Sequence, residues 1–135
     1  MRSRAQSSIE YLLLLAAFFG VLGVMLPVMS QTTQSFLSAS DELLAKRISN
    51  DLTEQVSLMK FLGEGSIKQL EYFASKSITV SSRGTAILFS GGDKEFSVEL
   101  GVVQVFPKQE FNGKFVVTVQ KFSNEIKITA FEEFS

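Results

Sequence analysis

Tyr11-Leu12-Leu13-Leu14-Leu15-Ala16-Ala17-Phe18-Phe19-Gly20-Val21-Leu22-Gly23-Val24-Met25-Leu26-Pro27-Val28-Met29 contains no charged residue. As a helix, a run of this length spans the roughly 30 Å apolar core of a bilayer. Apolar side chains fall on every face of that helix, so it must be surrounded on all sides by lipid or by other helices. Ala16 and Gly20 stand four apart and Gly23 adds another small site. That spacing lets apolar helices approach closely, although an ordinary membrane anchor with incidental glycines would read the same way. Pro27 has no backbone donor and clashes with the preceding turn, which predicts a bend or a local opening of the helix there.

Upstream of the run stands Met1-Arg2-Ser3-Arg4-Ala5. Arg2 and Arg4 precede the apolar segment and no basic residue follows soon after it, which predicts a cytoplasmic N-terminus and an external chain from about Gln31 onward. An ordinary secretory signal has an apolar region of about 7–15 residues followed by a small-x-small cleavage site. Here the run is longer, and Val28-Met29-Ser30 fits such a site poorly. An uncleaved anchor accounts for the flank and the run but gives Glu10 no task. A carboxylate at the edge of an apolar helix is costly near a bilayer unless partnered. At the interface, solvated and near the positive end of the helix dipole, it would be tolerated.

Glu10 belongs to a longer pattern, Arg4-Ala5-Gln6-Ser7-Ser8-Ile9-Glu10-Tyr11, with the apolar run directly behind it. Over residues 1–30 the chain resembles the class III signal peptide of archaeal type IV pilin-like proteins. In that family a basic and a small residue precede a glutamine, a serine follows, and a glutamate holds the fifth mature position. The family usually has glycine before the cut; this chain has Ala5. The resemblance implies that a prepilin peptidase cuts between Ala5 and Gln6 on the cytoplasmic side, removing the leader and keeping the apolar helix. Loss of Arg2 and Arg4 would take the formal charge from -1 to -3.

It further implies self-association into a helical filament, with membrane lipid as the surroundings before assembly and a pilus assembly ATPase and membrane platform as partners. The implied function is that of a structural subunit of an archaeal type IV-like pilus serving surface adhesion. The precursor would lie in the cytoplasmic membrane and the assembled subunit on the cell surface. Glu10 would then compensate the amine of Gln6 in a neighbouring subunit. Opposite charges at contact distance are worth several times more in a low-dielectric core than in water, and either one left alone is costly. If Gln6 cyclises, the amine is lost and Glu10 needs another donor, such as Ser7 or Ser8 of a neighbour. The competing reading is a single-pass anchored extracellular binding module that never polymerises. A minor subunit of such an assembly would share the same N-terminus.

Downstream of Met29 the character changes. Ser30-Gln31-Thr32-Thr33-Gln34-Ser35 is polar, and from Phe36 to Leu62 the pattern is amphipathic. Leu37, Leu44, Ile48, Leu52, Val56, Met59 and Leu62 recur at helical spacing, with Asp41, Glu42, Lys46, Arg47, Asp51, Glu54 and Lys60 on the polar faces. Gly63 and Gly65 predict the stop, so the helix should run from Ser8 to Leu62. Ile67 to Ala74 reads as a short helix or a loop.

From Ile78 onward the period alternates, predicting strands. The runs are Ile78–Ser81, Thr85–Phe89, Glu95–Leu100, Val102–Phe106, Phe115–Gln120 and Glu125–Phe131, with turns at Arg83-Gly84, Gly91-Gly92-Asp93 and Ser123-Asn124. Phe89, Phe96, Val98, Leu100, Val117, Val119, Ile126 and Ile128 are core candidates, and Phe134 is a candidate for contact between heads. The expected class is α+β, a long N-terminal helix packed on a C-terminal antiparallel sheet. The expected divisions are a leader at 1–5, a transmembrane and filament-core helix at 6–30, its amphipathic continuation at 31–65 and a β-rich extracellular head at 66–135.

Composition narrows the chemistry. The 135-residue chain has no cysteine and no histidine, which removes disulfides, thiolate ligands, thiol nucleophiles and any Ser-His-Asp arrangement. With a net charge of -1 and no clustered basic face, no nucleic-acid partner is indicated. Gly91-Gly92-Asp93 lacks the lysine and the helix of a phosphate cradle. No cofactor, metal site or enzymatic activity is expected.

Overall fold

The computed structural model describes residues 2–123 and 125–132, with the side chains of residues 2–7 outside the described set. Helix α1 (Arg2–Met59) is followed by strands β1 (Ile67–Arg83), β2 (Ala86–Gly91), β3 (Lys94–Glu99), β4 (Gln109–Phe122) and β5 (Glu125–Glu132). The strands form one sheet in the order β3-β2-β1-β4-β5, every neighbouring pair antiparallel. The fold is α+β, a long N-terminal helix packed on a five-stranded antiparallel sheet, as the pattern predicts. The chain divides into two compact units, residues 1–36 and 37–135.

In the second unit α1 buries one stripe. Asp41, Ala45, Ile48, Leu52, Val56 and Met59 recur at threes and fours and are all buried. The sheet answers with Tyr72, Ala74, Ile78 and Val80 from β1, Ile87 and Phe89 from β2, and Phe115, Val117 and Val119 from β4. Seven of the eight core candidates are buried, and Phe96 is half-buried against the same cluster. Phe111 and Phe115 stack with ring centroids 5.1 Å apart. Leu37 and Leu44 are half-buried, whereas Leu62 is exposed.

Three expectations need correction. Ile67–Ala74 is neither helix nor loop: it is the first half of β1, paired residue for residue with Gln120–Gly113. Val102–Phe106 is not a strand. It alternates correctly but has no ladder partner, and crosses as irregular chain fixed by side chains. Gln104 donates its amide N–H to the Ile126 carbonyl at 2.8 Å and accepts the Ile128 N–H at 3.3 Å. Phe106 is held through its N–H to the Ser82 hydroxyl at 2.8 Å. The helix also ends three residues early, at Met59. Its last turn tightens through Phe61 N–H to Leu58 and Leu62 N–H to Met59. The Lys121 ammonium then donates to the Lys60 and Leu62 carbonyls, groups the helix leaves unsatisfied.

The helix sits directly on the β2–β3 turn. A Cβ added to Gly91 would lie 2.2 Å from the Asp41 carbonyl oxygen, so only glycine fits. Gly92 has φ +61 and its added Cβ would lie 2.9 Å from the Ser38 carbonyl. Beside this contact Lys94 pairs with Glu42 at 2.5 Å.

Candidate functional site

The first unit carries the unexplained surface. From Ser8 to Phe36 every described side chain is exposed except the half-buried Leu22. Exposure of 65 % at Leu13, 59 % at Phe18 and 68 % at Val24 is the reverse of what water tolerates on one contiguous surface. Near its N-terminal end α1 is long and apolar enough to cross a membrane.

Sequence explains why this stretch is helical. Leucine and alanine favour the helix, and the intrahelical ladder satisfies the backbone without help from solvent. Gly20 and Gly23 run against that preference by about 1 kcal/mol each relative to alanine. An added Cβ at either position meets nothing within 4 Å, so no packing inside the chain accounts for them. α1 is continuous through Pro27. Just beyond it, Thr32 and Thr33 return their hydroxyls to the Val28 and Met29 carbonyls at 2.8 and 2.9 Å.

Glu10 lies exposed in α1 just before the apolar run. The side chains of Arg2, Arg4, Ala5 and Gln6 lie outside the described residues, as do Asn124 and Phe134. Ala16, Gly20, Gly23 and Pro27 follow at steps of four, three and four, which keeps them near one helix face.

The head offers a different kind of surface. A shallow depression between the 104–107 segment and the β4–β5 hairpin is lined by Val105, Phe106, Pro107, Phe122 and Lys127 among others. Among the described residues no group of acidic, histidine or cysteine side chains is placed to hold a metal. Tyr72 is a perturbed ionisable group among the described residues. Burial first, then the Asp51 carboxylate that accepts its hydroxyl at 3.2 Å, push the phenol well above its ordinary value. Arg47, 3.7 Å from Asp51, acts weakly the other way. This cluster faces the helix–sheet contact and serves packing.

Asp41 is the site residue that sequence reading missed. It was placed on a polar face, yet it is 1 % exposed. Its carboxylate accepts the N–H groups of Ser75, Lys76 and Ser77 at 2.8, 2.8 and 2.9 Å. These residues form the bulge that interrupts β1–β4 pairing between Ala74 and Ile78. The available signal was Asp41-Ala45-Ile48-Leu52, whose spacing puts the aspartate on the docked face.

Comparison of the chain with protein-family models, with curated proteins and with solved structures found no match.

Proposed function

We propose that this chain is a structural subunit of an archaeal type IV-like pilus, assembled through its apolar N-terminal helix after leader removal. The observation that carries the reading is the apolar segment Tyr11–Met29, exposed on every face and holding two glycines with no contact inside the chain. Such a surface must be covered, and helices of other copies cover it as well as lipid does. The Arg4-Ala5-Gln6 to Glu10 pattern favours helices of other copies, because it resembles a prepilin leader as a whole, whereas a plain anchor leaves the carboxylate to solvent.

In this reading a prepilin peptidase cuts between Ala5 and Gln6. The Gln6 amine meets Glu10 of a neighbour inside the filament, and an assembly ATPase on a membrane platform drives the transfer from lipid to filament. The docked head faces outward and serves surface adhesion. Mass spectrometry of the N-terminus in filaments sheared from cells is the direct test. A mature start at Gln6, as glutamine or its cyclised form, in an abundant filament fraction is the expected result. An intact Met1 found only in membranes overturns the proposal and leaves an anchored binding module.

A further inference from the structure

The absence of charge outlasts the apolar run. From Tyr11 to Ser40 there is no Asp, Glu, Lys or Arg, and the first charge after Glu10 is Asp41. Thirty helical residues extend ~45 Å, whereas a bilayer core takes about 20 residues. The surplus, from Ser30 to Ser40, is uncharged, with Phe36, Leu37 and Ala39 among serines, threonines and glutamines. The water-facing surface of α1 beyond it does carry charges, at Glu42, Lys46, Arg47 and Glu54.

The polar groups in the surplus are unequally satisfied. The Thr32 and Thr33 hydroxyls are closed onto their own helix, so they need no water and can be covered at little cost. Gln31 and Gln34 are exposed, and among the described residues neither amide has a partner within the chain. They stand three apart on one helix face, the face that Gly20, Gly23 and Pro27 reach by steps of three and four.

We propose that Gln31 and Gln34 form an interchain hydrogen-bonded seam against the same two residues of a second copy. The seam fixes the register of helices that the apolar segment alone would let slide. A carboxamide donates and accepts, so identical copies are complementary without any other partner. The two residues lie ~4.5 Å apart along the axis, so level neighbours pair 31 with 31 and 34 with 34, whereas an offset of about one turn pairs only 31 with 34 and makes half the hydrogen bonds. Apolar contact is non-directional, and a polar pair in an apolar helix interface is the known way to select one register. The inference rests on self-assembly through α1.

The chain has no cysteine, so cross-linking reads the seam in the full-length assembled protein. Copies carrying Gln31→Cys and Gln34→Cys, alone and co-assembled, should give disulfide dimers on oxidation. Ala16→Cys with Gly20→Cys reports the apolar contact, and Asn50→Cys on the head side of α1 should remain monomeric. Cross-links at 16 and 20 with none in any combination of 31 and 34 overturn the seam while leaving assembly intact; that is also the outcome if lipid headgroups or water cover the segment. No cross-link at any of the four positions overturns both. Register is read in a Gln31→Leu, Gln34→Leu background. There the pattern of cross-links across residues 16–29 should broaden, and a pattern as sharp as the parent's rules out the register role.

Discussion

Asp41 shows how much one side chain can determine. Three N–H groups of the β1 bulge converge on its carboxylate, which is itself buried. Asp41→Ala leaves those donors unmade, which should lower head stability by about 3 kcal/mol, while Asp41→Asn, keeping one acceptor oxygen, should lose less. Denaturant midpoints of the two variants against the parent decide it; equal losses would mean that the retained oxygen contributes nothing and that the charge of the carboxylate holds the bulge. Gly91→Ala probes the same junction from the other side. The new methyl group would meet the Asp41 carbonyl, and the helix must shift at a cost of about 1–3 kcal/mol.

Tyr72 adds a pH dependence. Its phenol stays protonated in the fold while the unfolded chain ionises it from about pH 10, so its contribution is complete below that pH and declines as pH rises above it. Tyr72→Phe should therefore be less sensitive to the step from pH 9 to pH 11 than the parent. Identical alkaline losses in both proteins would exclude Tyr72 as the source.

At the scale of elements, α1 is one helix with two kinds of surroundings. Leu52 is fully buried against the sheet and Leu13 is 65 % exposed. Leu52→Ala should cost the head about 2–5 kcal/mol and Leu13→Ala almost nothing, although the two changes are chemically identical. Thermal melts of the two variants separate them, and a comparable loss from Leu13→Ala would mean that the apolar stretch packs within the chain. Much of this element was legible: the apolar run, the change of character after Met29 and the stripe through Ile48, Leu52, Val56 and Met59 follow from composition and period.

The sheet was read less completely. Ile67–Ala74 carries Lys68 and Glu71 among apolar residues, and Ser75-Lys76-Ser77 separates it from the clearer Ile78 run. A bulge looks like a break when only local sequence is visible. The strand exists because β4 pairs with it and Asp41 holds the bulge. Val102–Phe106 failed in the opposite sense: its alternation was right, but a strand also needs a ladder, and here the Gln104 side chain bonds the β5 edge instead. In each case the deciding partner lay far away in sequence.

For the whole molecule, the two units differ in what they bury. Residues 37–135 contain the entire buried core cluster, whereas residues 8–36 contribute none of it. The head also blunts its own sheet edges. Gln104 occupies part of the β5 edge, and Ser49 on the helix donates to the Ser97 carbonyl of edge strand β3 at 3.1 Å. Exposed edges recruit strands from other copies, and these contacts reduce the vacant length. Association should then depend on the N-terminal segment and not on the sheet. A chain beginning at Leu37 should fold, melt with the cooperativity of the parent head and sediment as a monomer at high concentration. Ser38 and Ser40 are on hand to cap the shortened helix. Oligomers of that shortened chain would show that the exposed Phe61, Phe73 or Phe122 of the head drives association by itself. A shortened chain that fails to fold would mean that the helix upstream of Leu37 stabilises the docked half, through the cooperativity by which each helical turn supports the next.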